Sequence, residues 1–96
     1  MVVSMLQVII ELPESVSLKD KRRVVKSIKD RLRARYRVSC AETDLQESLR
    51  YAQIGAALVS NSAEFGESVM HKALGDIEGQ LSLRIHDSGV YSERFD

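Results

Sequence analysis

The residues best placed to do chemistry are cations crowded into one stretch, Leu18 to Arg37, LKDKRRVVKSIKDRLRARYR. It holds ten Lys and Arg against Asp20 and Asp30, a formal charge of +8. The whole chain has 14 Lys+Arg and 14 Asp+Glu, so the remainder sums to −8. Cations at this density suit electrostatic contact with a polyanion such as a phosphate backbone, a contact that weakens steeply with salt. At about 100° per residue, Lys19, Arg22, Lys26, Lys29 and Arg33 share one exposed flank at i, i+3, i+4 spacing. Lys21 and Arg23 complete the set of seven candidate phosphate contacts. Lys21 points close to the apolar sector, so its ammonium must snorkel or pair with a carboxylate. Arg31, Arg33 and Arg35 near the C-terminal end suit the helix dipole. The dipole gives no reason for Lys19, Lys21, Arg22 and Arg23 in the first turn, which make the helix N-terminus a candidate anion site. The plainer alternative is a solvated helix face, neutralised by acidic residues elsewhere or by a neighbouring subunit.

Other chemistry finds little support. A nucleophile needs an adjacent base and an orienting group. His71 and His86 have no Cys or Ser partner by spacing and read as surface residues. Cys40, the only cysteine, falls in an apolar register and reads as a buried, inert thiol. One cysteine excludes an internal disulfide and any all-Cys metal site. There is no CxxC, HxxxH or HExxH, so no metal is expected, and no glycine-rich phosphate loop, so no nucleotide cofactor. Acylphosphatases place a glycine-rich cradle after their first strand; here that place is Leu12-Pro13-Glu14-Ser15. The sequence therefore assigns no catalytic residue, no metal and no cofactor, and the expectation is a non-enzyme.

The elements that must position the cations follow from periodicity. Residues 2–12 alternate as a strand, with Leu6, Val8, Ile10 and Leu12 on one face and Met5, Gln7, Ile9 and Glu11 on the other. Pro13-Glu14-Ser15 is a turn. The basic helix runs from about 18 to 35, with Ser17 as N-cap, Asp20 closing a capping box, and Leu18, Val25, Ile28, Leu32 and Tyr36 as its apolar stripe. Residues 36–43 read as a second strand and 44–49 as a polar, mobile connection. Residues 50–60 form a third strand whose small residues suggest a central place. Asn61, with Glu64, caps a second helix on Val69, Met70, Ala73 and Ile77, extended by Phe65 and Leu74, and Gly79 is its stop. Residues 81–87 are the fourth strand, and the tail from Ser88 to Asp96 either extends it or frays. The order βαββαβ with right-handed crossovers gives a ferredoxin-like α+β domain over residues 1–96: a four-stranded antiparallel sheet with both helices on one face.

That fold leaves a sheet face open. RNA-recognition motifs stack bases there on aromatics, but only Tyr51 is aromatic at the corresponding positions of the central strands. A face bearing Val3, Met5, Ile9, Tyr51, Ala57 and Val59 suits burial against a second copy or a partner better. The chain has no apolar run near the roughly 20 residues of a membrane span and no signal peptide, so a cytoplasmic, bacterial-style protein is expected.

The pattern SLKDKRRVVKSIKDRLRARYRVSCAE, followed by LRYAQIGAALVSN, resembles the YlxP-like family of small bacterial proteins of unknown function. The Ser17 to Arg22 start, the Val38 to Glu42 strand and the Val59-Ser60-Asn61 cap carry the resemblance over nearly the whole chain. It implies a ferredoxin-like fold and, through genes that sit beside translation-initiation and ribosome-maturation factors, a partner in structured RNA or the ribosome. The family's second connection carries an aromatic where this chain has Leu49, and it supplies no catalytic residues. Sequence and resemblance together lead to a non-enzymatic, RNA- or ribosome-associated factor that binds by its basic helix. The alternative is a homodimeric interaction module whose basic helix docks an acidic protein.

Overall fold

The computed structural model describes residues 1–13, 17–80 and 83–96. Alternating burial marks β1 (Val2–Glu11) and β3 (Tyr51–Ser60), and the more exposed β2 (Ser39–Asp44) and β4 (Arg84–Arg94) complete the strands. The two 3.6-periodic segments are α1 (Leu18–Tyr36) and α2 (Ala63–Gln80). The strands pair antiparallel in the order β2-β3-β1-β4. This is the ferredoxin-like arrangement, with β1 and β3 central.

Both helices cover one face. Leu6, Val8, Ile10, Ala52, Ile54 and Ala56 from the central strands meet Val25, Ile28 and Leu32 of α1 and Met70, Ala73 and Ile77 of α2. Burial of these side chains is the main force holding the layers together, each Val, Leu, Ile or Met contributing about 1.5–3 kcal/mol when fully removed from water and each Ala less. α2 lies close on β1 at Gly66, where a Cβ would sit 1.9 Å from the Ser4 hydroxyl. Ser4 is fully buried and satisfied by Ser92 Oγ at 2.9 Å.

Several boundaries differ from the sequence expectation, each for a local reason. The first helix continues to Tyr36 and closes on Arg37, which takes the left-handed conformation (φ 55°) while its N–H bonds Arg33 O; the second strand therefore starts at Ser39, not at 36. Its N-terminus is as expected: Ser17 Oγ accepts from Asp20 N and the Asp20 side chain reaches back. The cap of α2 is Ser62, not Asn61. Ser62 Oγ accepts from Phe65 N at 3.2 Å, which puts Phe65 and not Glu64 at the third helical position, and no capping box forms. Phe65 is 58% exposed, outside the apolar side it was expected to extend, and Gly79 lies within the helix. The tail does not fray: β4 runs through Arg94 along the whole of β1. Glu14 and Ser15 of the expected turn, and Leu81 and Ser82 of the expected strand, lie outside the described residues.

Candidate functional site

Helix α1 sorts its cations by what faces them. Toward α2 lie Arg31 and Arg35, and both meet Asp76: Arg31 Nε at 3.0 Å and Arg35 Nη1 at 3.8 Å. The Asp76 side chain is only 7% exposed and also accepts from the Tyr36 hydroxyl at 3.2 Å. The Arg31 hydrogen bond, against the opposing effect of burial and with help from Tyr36, holds Asp76 below the usual carboxylate range. Burial, and then the bond to Asp76, pushes the Tyr36 hydroxyl up. The acidic second helix thus neutralises a different side of α1 from the flank singled out in the sequence.

Toward the core points Lys21, and here the structure corrects the sequence reading. Lys21 is 1% exposed and is not a surface contact for phosphate. It lies four, seven and eleven residues before Val25, Ile28 and Leu32, as the first member of the buried stripe. Its ammonium ends in a cage of backbone carbonyls: Leu45 O at 2.6 Å, Tyr51 O at 3.0 Å, Gln46 O at 3.3 Å, and Ser48 O. Glu42 Oε2 lies 3.3 Å away. It lacks hydrogen-bond geometry, so we assign it a charge role and give the three N–H donors to the carbonyls. The cage shapes the 44–49 connection, where Leu45 takes φ 61° to turn its carbonyl inward. The connection expected to be mobile is therefore organised around a buried charge. Its nearby sequence offers no signal for this; the signal is the place of Lys21 in the helical period.

The third group lies on the outward flank along β2, an edge strand. Arg33 Nη2 donates to Cys40 O at 2.7 Å, occupying part of that edge. Lys26 pairs with Asp30 at 2.6 Å across one helical turn, both exposed. The Lys26 hydrogen bond holds the Asp30 carboxyl below its ordinary range. Lys19, Arg22, Arg23 and Lys29 have no ion-pair or side-chain hydrogen-bond partner among the described residues. These four, spread over roughly 15 Å of helix axis at about 1.5 Å per residue, are the unpaired cations of this outer surface, Lys19, Arg22 and Lys29 on the flank and Arg23 beside it. Leu18 and Leu49, both exposed, flank Arg22 in a cleft of about 710 Å³ completed by Glu42, Gln46 and Glu47.

The remaining sequence candidates fall into place around this. Cys40 is buried with its thiol near Lys29 O (3.5 Å), and burial pushes that thiol up. His71 is exposed on α2. His86 occupies the bulge of β4 opposite Ile9 and Ile10 and packs on Tyr51 with ring centroids 5.1 Å apart. Val3, Met5, Ile9, Tyr51, Ala57 and Val59 all lie on the sheet face away from the helices, with Val3 beside Val59 and Met5 beside Ala57. Among the described residues no three metal-binding side chains come together, and no helix is long and apolar enough to cross a membrane.

Residues 3–90 match the family described as "Protein of unknown function (DUF503)". The chain belongs to the DUF503 family. No curated protein matches it. Among solved structures, this DUF503 chain is similar to a dimeric protein of unknown function and ferredoxin-like fold from Bacteroides fragilis, at 13% identity and TM-score 0.50, covering 98% of this chain and 96% of that one. It is also similar to At3g17210 from Arabidopsis thaliana, at 11% identity and TM-score 0.47, covering 100% and 96%. At such identity the first likeness bears on the fold alone.

Proposed function

We propose that this DUF503 chain is a non-enzymatic accessory factor that binds structured RNA, in the cytoplasm and on or near the ribosome, through the outward flank of α1. One observation carries the reading. Acidic partners take Arg31 and Arg35 on one side and Lys21 inside, yet Lys19, Arg22, Arg23 and Lys29 have none among the described residues. Their spacing along one helix suits successive phosphates, and such contacts position a protein without reading sequence. A free buried thiol such as Cys40 fits a reducing compartment. Fluorescence anisotropy with a labelled RNA hairpin tests it: R22E/K29E removes binding while circular dichroism stays native. Binding that survives the double reversal counts against it.

A second reading is favoured by Leu18 and Leu49 beside Arg22. Two exposed leucines next to a cation suit an acidic protein segment with an apolar anchor better than a phosphate backbone. The B. fragilis structure is described as dimeric, which makes a homodimer the assembly to test first for this chain.

A further inference from the structure

The open face of the sheet has relief. Its β2/β3 side carries small side chains, Ser39, Gly55 and Ala57, while its β1/β4 side carries Met5, Gln7 and Tyr91. Low floor and taller wall enclose a trough of about 470 Å³ whose lining holds no charged residue. Register fixes the rows. Met5 stands next to Ala57, which stands next to Ser39, and on its other side Met5 neighbours Tyr91; Gln7 stands between Gly55 and Gly89.

We propose that a second copy of the chain covers this face about a twofold axis running along the strands between β3 and β1. The inference rests on the homodimer reading, with the sheet face as its surface, and adds the axis and the pairing of side chains across it. An isologous contact needs a patch that is its own complement. About this axis each wall meets the other copy's floor: Met5 over Ala57, Gln7 over Gly55, Tyr91 over Ser39. An axis across the strands would set wall on wall and floor on floor, giving clash beside void. The area fits. Strands of ten, six, ten and eleven residues, about 4.8 Å apart, give a flat footprint of roughly 600 Å². A standard interface takes about 800 Å² of accessible surface per partner, and side-chain relief raises accessible area above footprint. Val59 and Tyr91 are 63% and 56% exposed in the single chain. Charge lies around the margin: Glu11 pairs with Arg50 at 3.1 Å and Arg84 at 3.7 Å at one end, and Asp87 and Glu93 stand along the β4 edge beside Ile9 and Val3, so a polar rim bounds the uncharged trough.

Light scattering on the purified full chain gives the state, and two substitutions give the face and axis. The wild-type protein should run at twice its 10.8 kDa mass. Ala57→Glu, partly exposed in the single chain, should keep a native circular dichroism spectrum and weaken the dimer about 100-fold or more, because it buries two carboxylates without partners. In a Cys40→Ala background, S39C/Y91C should oxidise to a covalent dimer and neither single variant should, since those positions stand three strands apart in one chain. A wild-type monomer overturns the homodimer itself. A dimer that A57E leaves intact overturns the face alone. A disulfide formed by S39C without Y91C overturns the axis.

Discussion

Salt dependence tests the count of free cations on α1 as well as their role. A ligand that neutralises Z phosphates releases counterions, so log K falls with log salt at a slope near −0.7Z for single strands and −0.9Z for duplex. The structure sets Z. Lys21 is enclosed by carbonyls, Lys26 is compensated by Asp30, and Arg33 is tied to Cys40 O, leaving Lys19, Arg22, Arg23 and Lys29. With Z of four the slope is about −3 to −3.5, and affinity drops roughly 50- to 150-fold between about 50 and 200 mM salt. All seven sequence candidates acting together would give a slope of about −5 to −6 and a loss of roughly 1,000-fold or more.

The assay is fluorescence anisotropy of a short RNA hairpin, long enough to span one helix flank, titrated at several salt concentrations. R22E/K29E should abolish binding at moderate salt, and Lys29→Ala should lower the slope by about 0.7–0.9. Lys26→Ala should change it little. A slope near zero refutes the electrostatic reading. A slope near −6 refutes the division of the cations that the structure makes.

Three further outcomes follow from the packing. Lys21→Met keeps the length but strands the carbonyls of Leu45, Ser48 and Tyr51; chemical denaturation should show a loss of about 3 kcal/mol, and a loss under about 1 kcal/mol would refute the cage as a stabilising feature. Asp76 has a carboxyl lowered in the fold, so its contribution is present above the unfolded-chain value of 3.8 and is lost as pH falls through the lower folded value. Thermal melts of Asp76→Asn should therefore lie below wild type at neutral pH and converge with it in acid, and parallel curves down to acid would refute the ion pairs as the source. Gly66→Ala places a methyl against Ser4 and should destabilise by about 2 kcal/mol through overpacking; an unchanged denaturation midpoint would show that Ser4 yields.

Much of this was legible in the chain because local pattern and global fold agree. Alternation in VSMLQVIIEL and the 3.6 period through Val25, Ile28 and Leu32 fixed the layers. Ser17 and Asp20 fixed a helix start because both capping partners lie within four residues. Ends set by backbone conformation were harder. Arg37 closes α1 in the left-handed region, where glycine would have announced the stop. Asn61 and Ser62 are both competent caps, and only the docked helix chooses between them. For the cations, the helical period shows the flank and the ambiguity of Lys21. The local Lys26–Asp30 pair lies one turn apart, but Asp76, Glu42 and the 45–51 carbonyls, which take Arg31, Arg35 and Lys21, lie 21 or more residues away along the chain.

The twofold axis proposed for the open face sets how such a dimer would meet the RNA proposed as its ligand. Rotation about an axis along β1 and β3 puts the β2 edge of one copy over the β4 edge of the other, so the two α1 flanks lie at opposite outer corners. With sheets about 10 Å apart and a helix layer of about 10 Å outside each, the helix layers are roughly 30 Å from one another. That is about three Debye lengths at 0.1 M salt, so the flanks act independently. A short hairpin should bind one per protomer, without cooperativity, and Ala57→Glu monomers should show the same salt slope as the wild-type dimer. One hairpin per dimer, or a slope that halves on dissociation, would mean that both flanks grip a single RNA. The axis or the flank would then be wrongly placed, and the S39C/Y91C crosslink decides which.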